Sequence, residues 1–425
     1  MAFRKSLMTS VARLAGLAPA RGALLSRSTG AAAARGFRTS AAVADAPRKD
    51  DGTDWGSAGD DISWDEEVQT YHGGQEWAHL ENFKEDFSVT TNTLGSPKAA
   101  IEAARAAVGH CHHYPSADFE PAFSKLAKFI WDKAGPQELA GLKDQLMMGN
   151  GASELIDLVV RGGNKGGWKP GHTLTQYKEY ERSCNAAGRP MLSADDTANA
   201  AVTCMVNPCN PTGDYMPVDE IKQYLEANTA PGSLVVVDES MQMWLGPHWR
   251  EDSLTSQADW LRTMHEDKGV DVWIMHSWTK IWSCAGLRLG SVIGPTPEVV
   301  AEVKARQVPW SLNMPVIDFT AAAVDDTEYM EKTWEITPQW RAYTQSELER
   351  RHPTWTIHGE PFLSWLWVDT HDEAVAEQAT DLAKAAGTPI RWGKPGYSLP
   401  TYLRVAVRAK EDTDHLLDAW SPLEK

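Results

Sequence analysis

The sequence predicts an α/β fold: a large domain with a mainly parallel sheet sandwiched by helices, then a smaller α+β domain. Three observations carry this expectation. Short apolar runs, Ala201–Val206, Ser233–Val237 and Asp271–His276 among them, recur between segments of helical pattern. Several of them are apolar almost throughout, as befits strands buried on both faces. The last hundred residues carry fewer such runs. Strands alternating with helices imply crossover connections and parallel neighbours.

The first forty residues differ in kind from the rest. They hold Arg4, Lys5, Arg13, Arg21, Arg27, Arg35 and Arg38 and no Asp or Glu. Phe3, Leu7, Val11 and Leu14 fall at helical spacing, so a helix here has an apolar stripe and a basic remainder. That is the pattern of an organelle transit peptide, and Arg13 and Arg21 interrupt the longer apolar core a secretory signal needs. Residues 1–41 are therefore read as a transit peptide. The dominance of arginine favours the mitochondrial matrix, with a plastid as the alternative. Residues 42–90, rich in Asp, Gly and Glu, read as an acidic arm and irregular lead-in. The large domain is placed at 91–325 and the small one at 326–425.

Charge narrows the partners. The whole chain carries a formal −17, and removing seven basic residues takes it to −24. Such a chain repels a phosphate backbone, so no nucleic acid is expected. No uncharged apolar run approaches about 18 residues, so no membrane span is expected. An anionic substrate needs a local cluster of arginines. The five cysteines (Cys111, Cys184, Cys204, Cys209, Cys284) form no Cys-x-x-Cys pair, which points to free thiols rather than a disulfide framework or a metal site.

Regular order is expected from Gly95-Ser96-Pro97, with Ser96 capping a helix, Pro97 in its first turn and Gly109 at its end. Ala152–Val160 reads as a helix and His172–Gln176 as a strand. Val218–Glu226 reads as a helix after Pro217. Leu287–Ile293 reads as a strand, followed by a helix begun by Thr296-Pro297. Near the end, Asp372–Ala386 reads as a helix and Tyr402–Val407 as a strand.

The chemistry concentrates at predicted strand ends. Ser277-Trp278-Thr279-Lys280 follows one strand. A lysine in that apolar setting is partly desolvated, which lowers its pKa and makes the amine a nucleophile toward a carbonyl. Ser277 and Arg288 offer a hydroxyl and a fixed guanidinium to a phosphate. Asn207-Pro208-Cys209-Asn210-Pro211-Thr212-Gly213 forces a tight loop that can aim an amide. Asp238 ends Val235-Val236-Val237 and can pair with a protonated ring nitrogen. Gly149-Asn150-Gly151-Ala152-Ser153 opens a helix and can present N–H groups to a phosphate. Arg404 lies inside an apolar strand, where a guanidinium calls for an anion, and Arg391 is a second such candidate.

These motifs, in this order, resemble class I/II aminotransferases, pyridoxal 5′-phosphate (PLP) enzymes of fold type I. The family's Schiff-base signature, Ser-x-Ser/Thr-Lys followed by Gly-x-Arg-x-Gly, is matched at 277–290, and its Asn-Pro-x-Asn-Pro-Thr-Gly loop at 207–213. The resemblance implies that Lys280 holds PLP and shuttles the α-proton. It implies that Asp238 pairs with the pyridine nitrogen and Asn210 with the phenolic oxygen. Ser277, Arg288, Ala152 and Ser153 then bind the cofactor phosphate, and Tyr180 stacks on the ring. Arg404, with Arg391, holds a substrate carboxylate or phosphate.

Asn92-Thr93-Leu94-Gly95-Ser96-Pro97, His113-Tyr114-Pro115 and the Arg404 strand are similar to the histidinol-phosphate aminotransferase-like branch, which includes a threonine-phosphate decarboxylase. There the tyrosine before Pro reaches the cofactor phosphate of a neighbouring subunit, a role carried to Tyr114 that implies a homodimer. Met241 stands where the branch usually has a tyrosine and cannot donate a hydrogen bond. The implied reaction moves an amino group between an amino acid, or an amino-alcohol phosphate such as histidinol phosphate, and a 2-oxo acid such as 2-oxoglutarate. The alternative is a decarboxylase or lyase of the threonine-phosphate type. Intact Lys280, Asp238 and Asn210 argue against a non-catalytic binding protein.

Overall fold

The computed structural model describes residues 72–424. The expected transit peptide and the start of the acidic arm lie outside the described residues. Among the described residues, ten strands form two sheets. The first has the order β1-β6-β5-β4-β3-β2, built from β1 (Leu146–Asn150), β2 (Gly167–Pro170), β3 (Ala200–Val206), β4 (Leu234–Asp238), β5 (Asp271–His276) and β6 (Leu289–Ile293). Strands β2 to β5 are parallel neighbours, while β6 runs against both β1 and β5.

Burial explains why the strands read as continuous apolar runs. In β4, Val235 and Val237 join the core on one face of the sheet, while Leu234 and Val236 join a second core on the other. Helices cover both faces, so no strand position of β3 or β4 is left to water. The second sheet is antiparallel, β7-β8-β10-β9, from β7 (Thr356–His358), β8 (Trp365–Asp369), β9 (Arg391–Trp392) and β10 (Tyr402–Ala406). Its apolar face packs on the helix Glu373–Ala385 through Ala376, Ala379 and Ala383. The 25-residue helix Thr327–Arg351 lies between the two sheets in sequence, and both sheets belong to one compact unit.

Three expectations are corrected. His172–Gln176 is loop, and the strand lies earlier, at Gly167-Trp168-Lys169-Pro170. Lys169 and Pro170 hide it from a pattern search. Pro170 is tolerated because β2 is an edge strand, and the buried Lys169 turns its amine to Ala194 O and Thr197 Oγ1. Ser96 does not cap the helix Lys98–Val108; its hydroxyl donates to Ser283 O instead. Order also begins before Gly95. Residues 84–91 have no regular structure, yet Phe87 is fully buried in the core of the second sheet. Its N–H donates to Pro389 O, and its carbonyl accepts from Ala406 N. Burying that ring contributes roughly 2 kcal/mol, which ties the lead-in to the fold.

Candidate active site

Strands β1, β3, β4 and β5 run one way, so their carboxyl ends share one edge of the sheet. Segments leaving those ends enclose a cavity, as in other open α/β sheets. Each of these strand ends delivers chemical groups to it.

From β4 comes Asp238, 5% exposed. Its carboxylate accepts hydrogen bonds from Ser240 N at 2.8 Å and Tyr180 OH at 2.9 Å. Burial raises its pKa, while the hydrogen bonds from Ser240 and Tyr180 and the charge of Lys280 pull it back. From β5 come Ser277 and, on the short helix Trp278–Ile281, Lys280. Trp278 pins that helix from beneath. Its ring stacks on Trp282 at 5.1 Å and His276 at 5.0 Å, and its Nε1 donates to Ser291 Oγ. Burial, with the nearby charges of Arg404 and Arg288, pushes the Lys280 amine down to about 8.

From β1 comes the helix Gly151–Val160, whose first turn borders the cavity at Ala152 and Ser153. Gly151 has φ +76°, and a Cβ there would sit 2.4 Å from Arg288 Nη2. The missing side chain lets the guanidinium lie against the helix start. Gly290, paired with Gly149 across β1 and β6, would put a Cβ 2.5 Å from Ala152 N. The two glycine motifs therefore interlock. Ser277 Oγ and Thr279 Oγ1, 2.8 Å apart, line the same cavity as Arg288.

From β3 comes the loop bearing Asn210. Its Oδ1 accepts from Arg404 Nη1 at 2.5 Å. A guanidinium only donates, so this contact fixes the amide with its oxygen toward Arg404 and its NH2 free to donate elsewhere. Arg404, on β10, also donates to Ser88 O at 2.5 Å, while its Nε has no protein partner. Arg391 lines the cavity nearby, 5.3 Å from the centroid of Tyr397, with Nη1 donating to Trp392 O.

Two tyrosines stand differently from expectation. Tyr180 is fully buried behind Asp238 and does not line the cavity; the aromatic that does is Tyr177, in the turn before the helix Glu179–Ala186. Two tyrosines three residues apart are equivalent in the sequence, and only the docking of that helix decides between them. Tyr114 is 78% exposed and stacks on Trp310 at 4.5 Å, away from the cavity of its own chain. The sequence also left out Tyr397, Thr279 and the lead-in residues His72, Val89 and Thr90, which complete the wall. Met241 lines the cavity too, 3% exposed. Among the described residues no cluster of His, Cys, Asp and Glu could hold a metal ion.

Fold and site together define a class. The model of the family "Aminotransferase class I and II" matches residues 84–419, and the chain belongs to that family. It is 26% identical over 348 residues to a histidinol-phosphate aminotransferase of Hyphomonas neptunium, covering 77% of this chain and 87% of that protein. A histidinol-phosphate aminotransferase 2 of Pseudomonas aeruginosa is 26% identical over 353 residues, covering 77% and 86%. Among solved structures, histidinol-phosphate aminotransferase from Sinorhizobium meliloti in complex with pyridoxal-5′-phosphate superposes with a TM-score of 0.66 at 17% identity, over 86% of this chain and 99% of that one. L-threonine-O-3-phosphate decarboxylase from Porphyromonas gingivalis gives 0.65 at 17% identity, over 80% and 99%. The protein is thus a PLP-dependent aminotransferase of class I and II with fold type I, and it is similar to histidinol-phosphate aminotransferases.

The donor set fits that cofactor. A guanidinium lies against a helix start, and two hydroxyls line the same cavity, groups of the kind a phosphate requires. A buried carboxylate stands at the end of β4 and an amine of lowered pKa at the end of β5.

Proposed function

We propose that this enzyme moves an amino group between an anionic amino compound and a 2-oxo acid such as 2-oxoglutarate. The observation that carries the reading is Arg404: a buried guanidinium beside the Lys280 amine, oriented by Asn210 and Ser88, with Nε still lacking a partner. A buried charge so held is best satisfied by a carboxylate or phosphate bound bidentately. Arg391 gives the same cavity a second guanidinium. The amino donor is accordingly an amino acid, or an amino-alcohol phosphate such as histidinol phosphate.

In this reading Arg288, Ser277, Thr279 and the N–H groups of Ala152 and Ser153 hold the cofactor phosphate. Asp238, fixed by Ser240 and Tyr180, holds a proton on the ring nitrogen. Asn210 donates to the phenolic oxygen, alone on the side where Met241 cannot help. Tyr177 packs against the ring in place of the expected Tyr180. PLP, when bound, supplies an electron sink for the substrate's α-carbon. Lys280 would hold the cofactor through its amine, and that amine, once displaced by the substrate's amino group and free, would move the proton at the α-carbon as a general base. Tyr114 completes the phosphate site of a second copy, which makes the homodimer the active form. The basic leader directs the chain to the mitochondrial matrix, with a plastid as the other destination.

The test is a panel of amino donors, histidinol phosphate and phosphothreonine included, each supplied with 2-oxoglutarate. The proposal expects glutamate to form with at least one donor. Release of carbon dioxide without glutamate would assign the site to decarboxylation instead.

A further inference from the structure

The lead-in that sequence analysis leaves as irregular is held by one buried side chain. Arg408, two residues beyond β10, is 3% exposed. Its Nε donates to Glu85 Oε1 at 2.8 Å. Its Nη2 donates to Asp86 O at 2.5 Å and Val89 O at 2.9 Å, with a longer contact to Thr91 Oγ1 at 3.4 Å. Its Nη1 donates to Thr91 O at 3.0 Å and Val407 O at 2.8 Å. One guanidinium thus gathers acceptors from four residues between 85 and 91.

That same segment forms part of the substrate wall. Ser88 O accepts from Arg404, and Val89 and Thr90 line the cavity. The chain before it docks on the same residues. Gly74 N donates to Ser88 Oγ at 2.7 Å, and a Cβ at Gly73 would lie 2.3 Å from Ser88 O. Only a glycine lets the backbone pass so close, and the passage brings His72 to the cavity wall, 6.3 Å from the ring of Tyr177. Arg404, in the middle of β10, and Arg408, two residues past its end, therefore act from one stretch of chain four residues apart. The first faces the cavity and the second fixes the segment that aims the first.

We infer that Arg408 is a positioning residue for substrate binding: it latches residues 85–91 into the cavity wall, and so sets the aim of Arg404 and the place of the His72–Gly74 segment. This rests on the proposed role of Arg404 as the partner of the substrate's anion. Arg408 itself makes no hydrogen bond to the Lys280 helix or to Arg288. The segment it holds continues into Asn92, whose N–H donates to Lys280 O at 2.9 Å, so the latch acts first on substrate affinity and only at second hand on the cofactor.

Arg408→Gln removes donors from four of the lead-in acceptors and leaves the cavity-lining side chains in place. In the holoenzyme, KM for the anionic amino donor should rise at least roughly tenfold, with kcat changing less than about threefold. The PLP dissociation constant should be unchanged, and amide hydrogen exchange should accelerate in peptides spanning 84–92. Arg408→Lys should recover only part of the KM, because a point charge cannot reach acceptors spread over a planar fork. If Arg408→Gln does not fold, Glu85→Gln weakens one arm of the latch and should raise KM in the same direction by a smaller factor. An unchanged KM, or loss of PLP affinity in parallel with KM, would overturn the inference. Arg404→Lys, run alongside, separates the two claims. If it raises KM and Arg408→Gln does not, the latch alone fails; if Arg404→Lys leaves KM unchanged, the reading of Arg404 fails first.

Discussion

An amine attacks a carbonyl only in its neutral form. For Lys280, burial and the guanidiniums of Arg404 and Arg288 bring that form into reach near neutral pH, with a pKa of about 8 against 10.5 for an ordinary lysine. The sign follows directly. The neutral fraction grows as pH rises through about 8, so the rate at which the apoenzyme captures PLP should climb over that window and level off above it. Stopped-flow absorbance between pH 6.5 and 10 measures this, and a rate still rising steeply near pH 10 would show the amine to be unperturbed. At the other end of the ring, Asp238→Asn keeps the size of the side chain and loses its charge. The fold and cofactor binding should survive while kcat falls roughly 10²–10³-fold, the scale of removing one preorganised electrostatic partner. Activity near the parent level would mean that Asp238 is misassigned. Arg404→Lys should raise the substrate KM roughly 10- to 100-fold with little effect on PLP affinity, since a lysine cannot keep contacts to Asn210, Ser88 and a substrate anion together.

At the scale of elements, the site depends on backbones that approach more closely than a Cβ allows. Gly151→Ala places a methyl 2.4 Å from Arg288 Nη2 at a left-handed φ of +76°, so Arg288 must leave the helix start. PLP affinity should fall roughly tenfold or more, and stability by about 1 kcal/mol or more. Equilibrium dialysis and thermal unfolding check the two effects, and unchanged PLP affinity would move the phosphate site elsewhere. These same elements show what the sequence made legible. Asn210, Asp238 and Lys280 each follow an apolar run within a few residues, so strand pattern and chemistry point to the same place. The order of the motifs then named a fold whose strand ends converge. The edge strand β2 is not legible in the sequence because Lys169 and Pro170 break its apolar pattern. Tyr177 and Tyr180 are not distinguishable from sequence, because an interval of three residues does not say which ring the helix buries. Arg408 and Ser88 were invisible for a different reason: their partners lie more than 300 residues away, and no local spacing encodes such a contact.

At the scale of the whole molecule, the cavity is assembled from distant parts of the chain. The six-stranded sheet supplies Asp238, Lys280 and the Gly151 helix start, and β9 and β10 supply Arg391 and Arg404. The lead-in closes the wall between them. Tyr114, exposed and stacked on Trp310, has no place in that cavity, and its proposed role belongs to a second copy. Mixing Tyr114→Ala with Lys280→Ala tests this. Each variant alone should be impaired, and subunit exchange should restore activity, because a mixed dimer carries one site with both residues intact. No recovery, despite mixed dimers seen by native mass spectrometry, would place Tyr114 outside the site. The central claim is that this fold brings one lysine, Lys280, into covalent contact with PLP. Borohydride reduction of the holoenzyme followed by peptide mapping tests it most directly. The account predicts a single phosphopyridoxyl label on Lys280, absent after Lys280→Ala; a label on any other lysine, or none, would contradict it.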